Sequence, residues 1–117
     1  EIERIGRTLD RFGERFLTRV YSTRERERYG KRVQELAARF AAKEATMKAL
    51  GTGIRGVRWR DIEVLPNRRG KPILVLHDTA LRRARLLGFT HFAVSLTHSR
   101  GDAVAIVVAS KAKVERP

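Results

Sequence analysis

Arg39, Lys43, Glu44 and Lys48 are the residues best placed to do chemistry, all within the stretch Arg39-Phe40-Ala41-Ala42-Lys43-Glu44-Ala45-Thr46-Met47-Lys48-Ala49-Leu50-Gly51-Thr52-Gly53. At helical spacing Leu36, Phe40, Met47 and Leu50 form one apolar stripe. Lys43 projects into the middle of that stripe, Glu44 lies at its edge, and Lys48 follows Glu44 by one turn. Burying an unpaired charge is expensive, so this placement calls for a partner with charge of its own. On spacing alone Glu44 and Lys48 are an ordinary i,i+4 ion pair. With Arg39 and Lys43 added, the group suits a polyphosphate and its divalent ion. Mg²⁺ keeps several waters and shares its remaining ligands with phosphates, and a second carboxylate is then expected from elsewhere. Gly51-Thr52-Gly53 lets a backbone approach phosphate, although a helix stop explains it at least as well.

A second polar group stands in Ser95-Leu96-Thr97-His98-Ser99-Arg100, read as a turn between two strands. Hydroxyls and a cation around His98 are an inventory for holding phosphate. No serine or aspartate at a recognisable spacing makes a hydrolytic triad with it. His77 and His91 lack such company and read as surface or strand residues, and Trp59 reads as core.

The elements that must position these groups follow from period and punctuation. Ile2, Ile5, Leu9 and Phe12 recur at helical spacing with Arg4, Arg7 and Arg11 on an outer face, until Gly13 interrupts. Phe16, Leu17 and Val20 extend the pattern for a further turn. Ser22 with Glu25 makes a capping box for a helix over Thr23 to Tyr29, whose alternating arginines and glutamates read as a solvated face. The main helix runs from about Lys31 to Leu50 and stops at Gly51. Trp59 to Leu65 and Ile73 to His77 read as strands joined across Pro66-Asn67-Arg68-Arg69-Gly70. Asp78 caps a helix from Thr79 to Leu87. Phe89 to Leu96 and Ala103 to Ala109 complete the strands, and the tail from Lys111 to Pro117 frays. Helices first and strands last, with short links, predict one α+β domain over residues 1–117 with a small antiparallel sheet packed against helices.

Composition restricts the partners. With 117 residues, 42% hydrophobic, the chain suits one folded domain. No cysteine is present, so disulfides and thiolate metal sites are excluded, in keeping with a cytoplasmic setting. No run has the length of a membrane span. The net charge of +13 comes from 26 basic against 13 acidic residues and attracts anions. Nucleic acid is one candidate, yet no helix-turn-helix, aromatic RNP strand or Cys/His finger is visible.

The segment Arg39 to Gly53, with Asp61-Ile62-Glu63-Val64, Gly70-Lys71-Pro72 and Val94-Ser95-Leu96-Thr97-His98-Ser99, resembles the holo-acyl-carrier-protein synthase family, the small 4'-phosphopantetheinyl transferases. The likeness runs nearly the whole chain, and Phe-Ala-Ala-Lys-Glu-Ala with Lys48 is its specific part. The resemblance implies a phosphopantetheinyl-transferase-like fold and transfer of the 4'-phosphopantetheine arm of coenzyme A to a serine of apo acyl carrier protein, releasing adenosine 3',5'-bisphosphate. It implies Mg²⁺ on the coenzyme A pyrophosphate, held by Glu44, with Lys48 against the phosphates and Arg39 and His98 near the nucleotide. Lys43, Gly51 and Thr97 stand beside these in the candidate cofactor site. It also implies homotrimers with active sites at subunit interfaces, and docking of the acidic carrier protein on the first helix through Arg4, Arg11, Phe12 and Arg15. The base for the serine hydroxyl stays open between Glu44 and a water on the metal.

The family's first strand carries a Gly-Ile-Asp signature and a metal-binding aspartate. Neither precedes Glu1, which starts in mid-pattern without an initiator Met, so upstream residues are expected in the native protein. Two other readings stand beside the transferase. A small basic nucleic-acid-binding domain explains the charge but neither Lys43 nor the His98 turn, and a silent carrier-protein binder needs no second carboxylate.

Overall fold

In the computed structural model residues 1–53 and 55–111 are described. Helices α1 (Ile2–Phe12) and α2 (Glu14–Val20) are separated by Gly13, whose φ of +52° is open to glycine and strained for other residues. Helix α3 (Thr23–Tyr29) begins at the expected capping box. Ser22 Oγ accepts from the Glu25 N–H, and a Glu25 carboxylate oxygen accepts from the Ser22 N–H. Helix α4 (Val33–Leu50) ends in a Schellman arrangement, with Gly51 N–H donating to Lys48 O at 3.1 Å and Thr52 N–H to Met47 O at 3.2 Å.

A 3-10 turn (Trp59–Asp61) precedes strand β1 (Ile62–Pro66), so the expected strand starts three residues later than Trp59. Strand β2 (Pro72–Leu76) pairs antiparallel with β1, Val64 opposite Leu74. Helix α5 (Asp78–Leu87) follows, then β3 (His91–His98) and β4 (Ala103–Ser110), antiparallel with His98 opposite Ala103. The strands therefore form two separate two-stranded sheets among the described residues, where one small sheet was expected. Of the tail expected to fray, all but Lys111 lies outside the described residues.

Asp78 does not cap α5. It is the one non-glycine described with positive φ, and the free Thr79 N–H is met by Asp61 Oδ2 at 3.1 Å, from the turn before β1. The same oxygen accepts from Thr79 Oγ1 and from Arg58 Nε. A capping carboxylate from a distant element joins two elements as well as starting a helix.

Helix α4 is the spine. Its N-terminal half, through Leu36 and Ala37, packs with Ile2, Ile5 and Leu9 of α1, Leu17 and Val20 of α2, and Tyr21 and Tyr29. Its C-terminal half, through Ala42, Met47 and Leu50, packs with Ile62, Val64, Leu74, Leu76, Ala80, Ala84 and Val94. The helix is buried well beyond one stripe: Ala38, Arg39, Lys43 and Thr46 are buried as well. Its alanines let neighbours approach from several sides, and Phe40, half-buried, stacks on Trp59 at 4.7 Å.

Candidate functional site

The two charges that made α4 conspicuous have opposite fates. Lys43 is fully buried, and its ammonium donates to Glu25 Oε1 at 2.8 Å, to Trp59 O at 3.2 Å and to Ile62 O. All three of its protons are used. Burial pulls its pKa below the ordinary lysine value, and the neighbouring Glu25 acts against that pull. The charged partner that the sequence asked for is thus a glutamate of this chain, and Lys43 has no donor left for a coenzyme. Glu25, expected on a solvated face, is itself fully buried and also accepts from the Val64 N–H at 2.9 Å.

Arg39 is likewise committed. Its guanidinium donates to Glu35 Oε2 at 2.9 Å and to the Tyr29 hydroxyl at 2.6 Å, and it lies over the Tyr29 ring at 4.2 Å. Its side chain is buried against α3, away from Glu44. The Gly51 N–H serves the helix end, the plainer of the two readings of the glycine pair.

Glu44 and Lys48 are both exposed and form no ion pair with one another among the described residues. Glu44 opens on a cavity of about 310 Å³ whose wall includes Arg4 and Thr8 of α1, Ala41 of α4, Trp59 and Ala103. A carboxylate without a protein partner, facing a hollow beside a cation, has its lone pairs free for a metal or a phosphate-bound metal. Its donor type and its free state fit Mg²⁺ as one ligand. A second carboxylate on the cavity wall, Glu1, pairs with Arg7 at 3.4 Å, and among the described residues no group of three or more His, Cys, Asp or Glu is placed to hold a metal ion.

Thr97 and His98 are exposed at the end of β3 rather than in the turn proper, and they do not line that cavity, although Ala103, paired with His98, does. The turn is tied to the start of α1 by Ile2 N–H donating to Gly101 O at 3.1 Å. On the outer side of α1, Phe12 is half-exposed with the Arg11 guanidinium over its ring at 5.2 Å. Arg15 lines a wider groove of about 950 Å³ between α2 and the 3-10 turn, facing Arg58 and Arg60.

Sequence reasoning assigned Asp61 and Glu63 no role beyond the family resemblance and left His77 as a surface or strand residue. Glu63, almost wholly buried, accepts from Ser22 Oγ at 2.5 Å and lies 3.2 Å from His77 Nε2 and 3.8 Å from Arg24. Burial raises its pKa, but the hydrogen bonds from Ser22 and His77 and the charges of His77 and Arg24 outweigh that and hold it below the ordinary carboxylate range. The Asp61-Ile62-Glu63 alternation around a strand start was the available signal.

Residues 1–108 match the 4'-phosphopantetheinyl transferase superfamily, and the chain belongs to it. Its relatives narrow this. It is 48% identical over 115 aligned residues to a holo-[acyl-carrier-protein] synthase of Herpetosiphon aurantiacus, covering 92% of this chain and 91% of that protein. A holo-[acyl-carrier-protein] synthase of Solibacter usitatus is 47% identical, at 92% and 90% coverage. Among solved structures, holo-[acyl-carrier-protein] synthase of Helicobacter pylori in complex with coenzyme A superposes with a TM-score of 0.84 at 30% identity, covering 93% of each chain.

Proposed function

We infer that this protein is a holo-[acyl-carrier-protein] synthase: it transfers the 4'-phosphopantetheine group of coenzyme A to a serine of apo acyl carrier protein. The observation that carries the reading is Glu44, an unpaired carboxylate on a cavity between α1 and α4, in a fold shared with a relative in complex with coenzyme A. In the transfer, the serine oxygen bonds to the phosphorus that carries the pantetheine arm. The bond from that phosphorus to the bridging oxygen breaks, and adenosine 3',5'-bisphosphate leaves. Such a transfer needs positioning and charge neutralisation more than covalent help.

Glu44 would hold Mg²⁺, which supplies charge neutralisation on the pyrophosphate when bound. Lys48, exposed one turn further along α4, is the cation for the phosphates. Thr97 and His98 supply a hydroxyl and an imidazole to the nucleotide end. Arg39 and Lys43 leave this ligand set because both side chains are buried and turned to partners inside the protein. Arg4, Arg11, Phe12 and Arg15 present an exposed basic and aromatic surface to an acidic carrier protein. The basic nucleic-acid-binding alternative finds no support in the relatives.

The reading includes a homotrimer. Val104, Ile106 and Val108 point outward from β4 at 50%, 63% and 56% exposure, opposite Thr97, Ser95 and Ala93 on β3. An apolar row of this kind is a ready subunit interface. The expected setting is cytoplasmic; no helix among the described residues is long and apolar enough to cross a membrane. The test is a mass measurement. Apo carrier protein incubated with coenzyme A, Mg²⁺ and this protein gains the phosphopantetheine mass. A carrier that stays unmodified rejects the reading.

A further inference from the structure

The Lys43–Glu25 pair joins four elements of the fold. Lys43 sits midway along α4 and reaches the carbonyls of Trp59 and Ile62, on the 3-10 turn and the start of β1. Glu25, on α3, takes the Lys43 ammonium and the Ser22 N–H on one oxygen and the Val64 N–H on the other. One buried pair therefore holds α3, α4, the turn and β1 in a single arrangement, with every donor and acceptor of the two charged groups engaged.

Helix α4 needs such a device. Ala37, Ala38, Ala41 and Ala42 face its neighbours with side chains too small to resist sliding or rotation. Apolar contact sets how close the helix packs, whereas a buried charge with one set of partners sets its register. The helix also carries Glu44, directly after Lys43, and Lys48. A small rotation of α4 would swing Glu44 off the cavity it shares with Arg4, Trp59 and Ala103. Trp59 belongs to both systems: its carbonyl accepts from Lys43 and it lines that cavity.

We propose that Lys43, locked by Glu25, is a positioning residue for the transfer reaction: it fixes the register of α4 over the 3-10 turn and β1, and so aims Glu44 and Lys48 at the coenzyme. This rests on the reading of Glu44 given above. Removing one partner alone strands a charge in the core and threatens folding, so the informative variant is the double Lys43→Met with Glu25→Leu, which removes the pair without stranding either charge. Its melting temperature, kcat, KM for coenzyme A and for carrier protein, and half-saturating Mg²⁺ concentration are compared with those of the parent and of Glu44→Gln. The expected result is a folded double variant with kcat down at least tenfold and a raised Mg²⁺ requirement, but KM for carrier protein unchanged. Parental kcat and Mg²⁺ dependence in the double variant overturn the proposal. Parental activity in Glu44→Gln instead overturns the underlying reading of Glu44. Should the double variant not fold, hydrogen exchange on the parent protein decides: the Val64 amide, bonded to Glu25, is expected to exchange only through global unfolding. Exchange of that amide through easy local opening shows that the pair locks nothing.

Discussion

Glu63 and His77 face one another across the β1–β2 hairpin, His77 Nε2 3.2 Å from Glu63 Oε1, while Ser22 Oγ donates to the other carboxylate oxygen at 2.5 Å. The carboxylate is almost wholly buried and the imidazole half-exposed, so the pair joins interior to surface. Together with Asp61 it makes the region beside α3 a place where acid acts on the fold.

The pH dependence follows from the direction of these shifts. Asp61 is also held below the ordinary carboxylate range: burial works upward, but the hydrogen bonds from Thr79 and Arg58 prevail. A carboxyl whose folded pKa is depressed adds stability that is complete above its unfolded value, about 4, and that disappears as pH falls through the folded value. Urea unfolding is expected to show constant contributions from these groups above about pH 5 and a decline below about pH 4. Glu63→Gln should flatten that decline. An equally steep acid limb in the variant would remove Glu63 as a cause.

Asp61→Ala should destabilise the protein more than loss of an ordinary surface carboxylate. It deprives Thr79 N–H, Thr79 Oγ1 and Arg58 of a shared acceptor. A lost helix cap costs about 0.5–2 kcal/mol, and the value here is expected at or beyond the upper end. Asp78→Asn, by contrast, removes only an exposed ion pair with Arg58 at 3.9 Å, keeps a side chain that tolerates positive φ, and should cost less than about 1 kcal/mol. Denaturant midpoints for the two variants give the comparison, and equal losses would contradict the assignment of the cap.

Glu44→Gln should leave the melting temperature unchanged, because the side chain is exposed and has no ion pair among the described residues. Its turnover should fall about a hundredfold, the scale for removing a group that stabilises charge in the transition state. A concentration series in Mg²⁺ tells whether the lost carboxylate held the ion.

Arg11→Glu with Arg15→Glu should raise KM for the carrier protein and blunt its dependence on salt, since exposed charges act mainly on encounter and are screened over about 8 Å at physiological ionic strength. KM for coenzyme A serves as the control. A carrier KM indifferent to both substitutions would move the docking surface elsewhere, with the Arg58 and Arg60 side of the α2 groove as the next place to look.

Ile106→Glu should reduce the assembled species to monomers in sedimentation velocity, because it places a charge in the middle of the outward apolar row of β4. A parent protein that sediments as a monomer would dispose of the trimer.

Much of the frame was legible. The break at Gly13, the capping box of Ser22 and Glu25 and the helix end at Gly51 rest on contacts within a few residues, which local residue types determine, and the two hairpins pair outward from short connections. The family was legible for a similar reason, since the Phe-Ala-Ala-Lys-Glu-Ala run is contiguous. Where the reading went astray, the deciding partner was distant. Asp78 looked like the cap of α5 until Asp61, 18 positions from Thr79, took the role. Glu25 looked solvated among arginines, yet Val64, 39 positions away, lies on it.

By itself the sequence determined that a cation had been set in the apolar face of the main helix, that a carboxylate followed it, and that some charged partner was needed. It did not say where that partner came from, because groups far apart in the chain meet only when it folds. The packed structure supplied it, giving Lys43 the Glu25 carboxylate and two carbonyls in the core. Glu44, one residue on, is left exposed at the cavity.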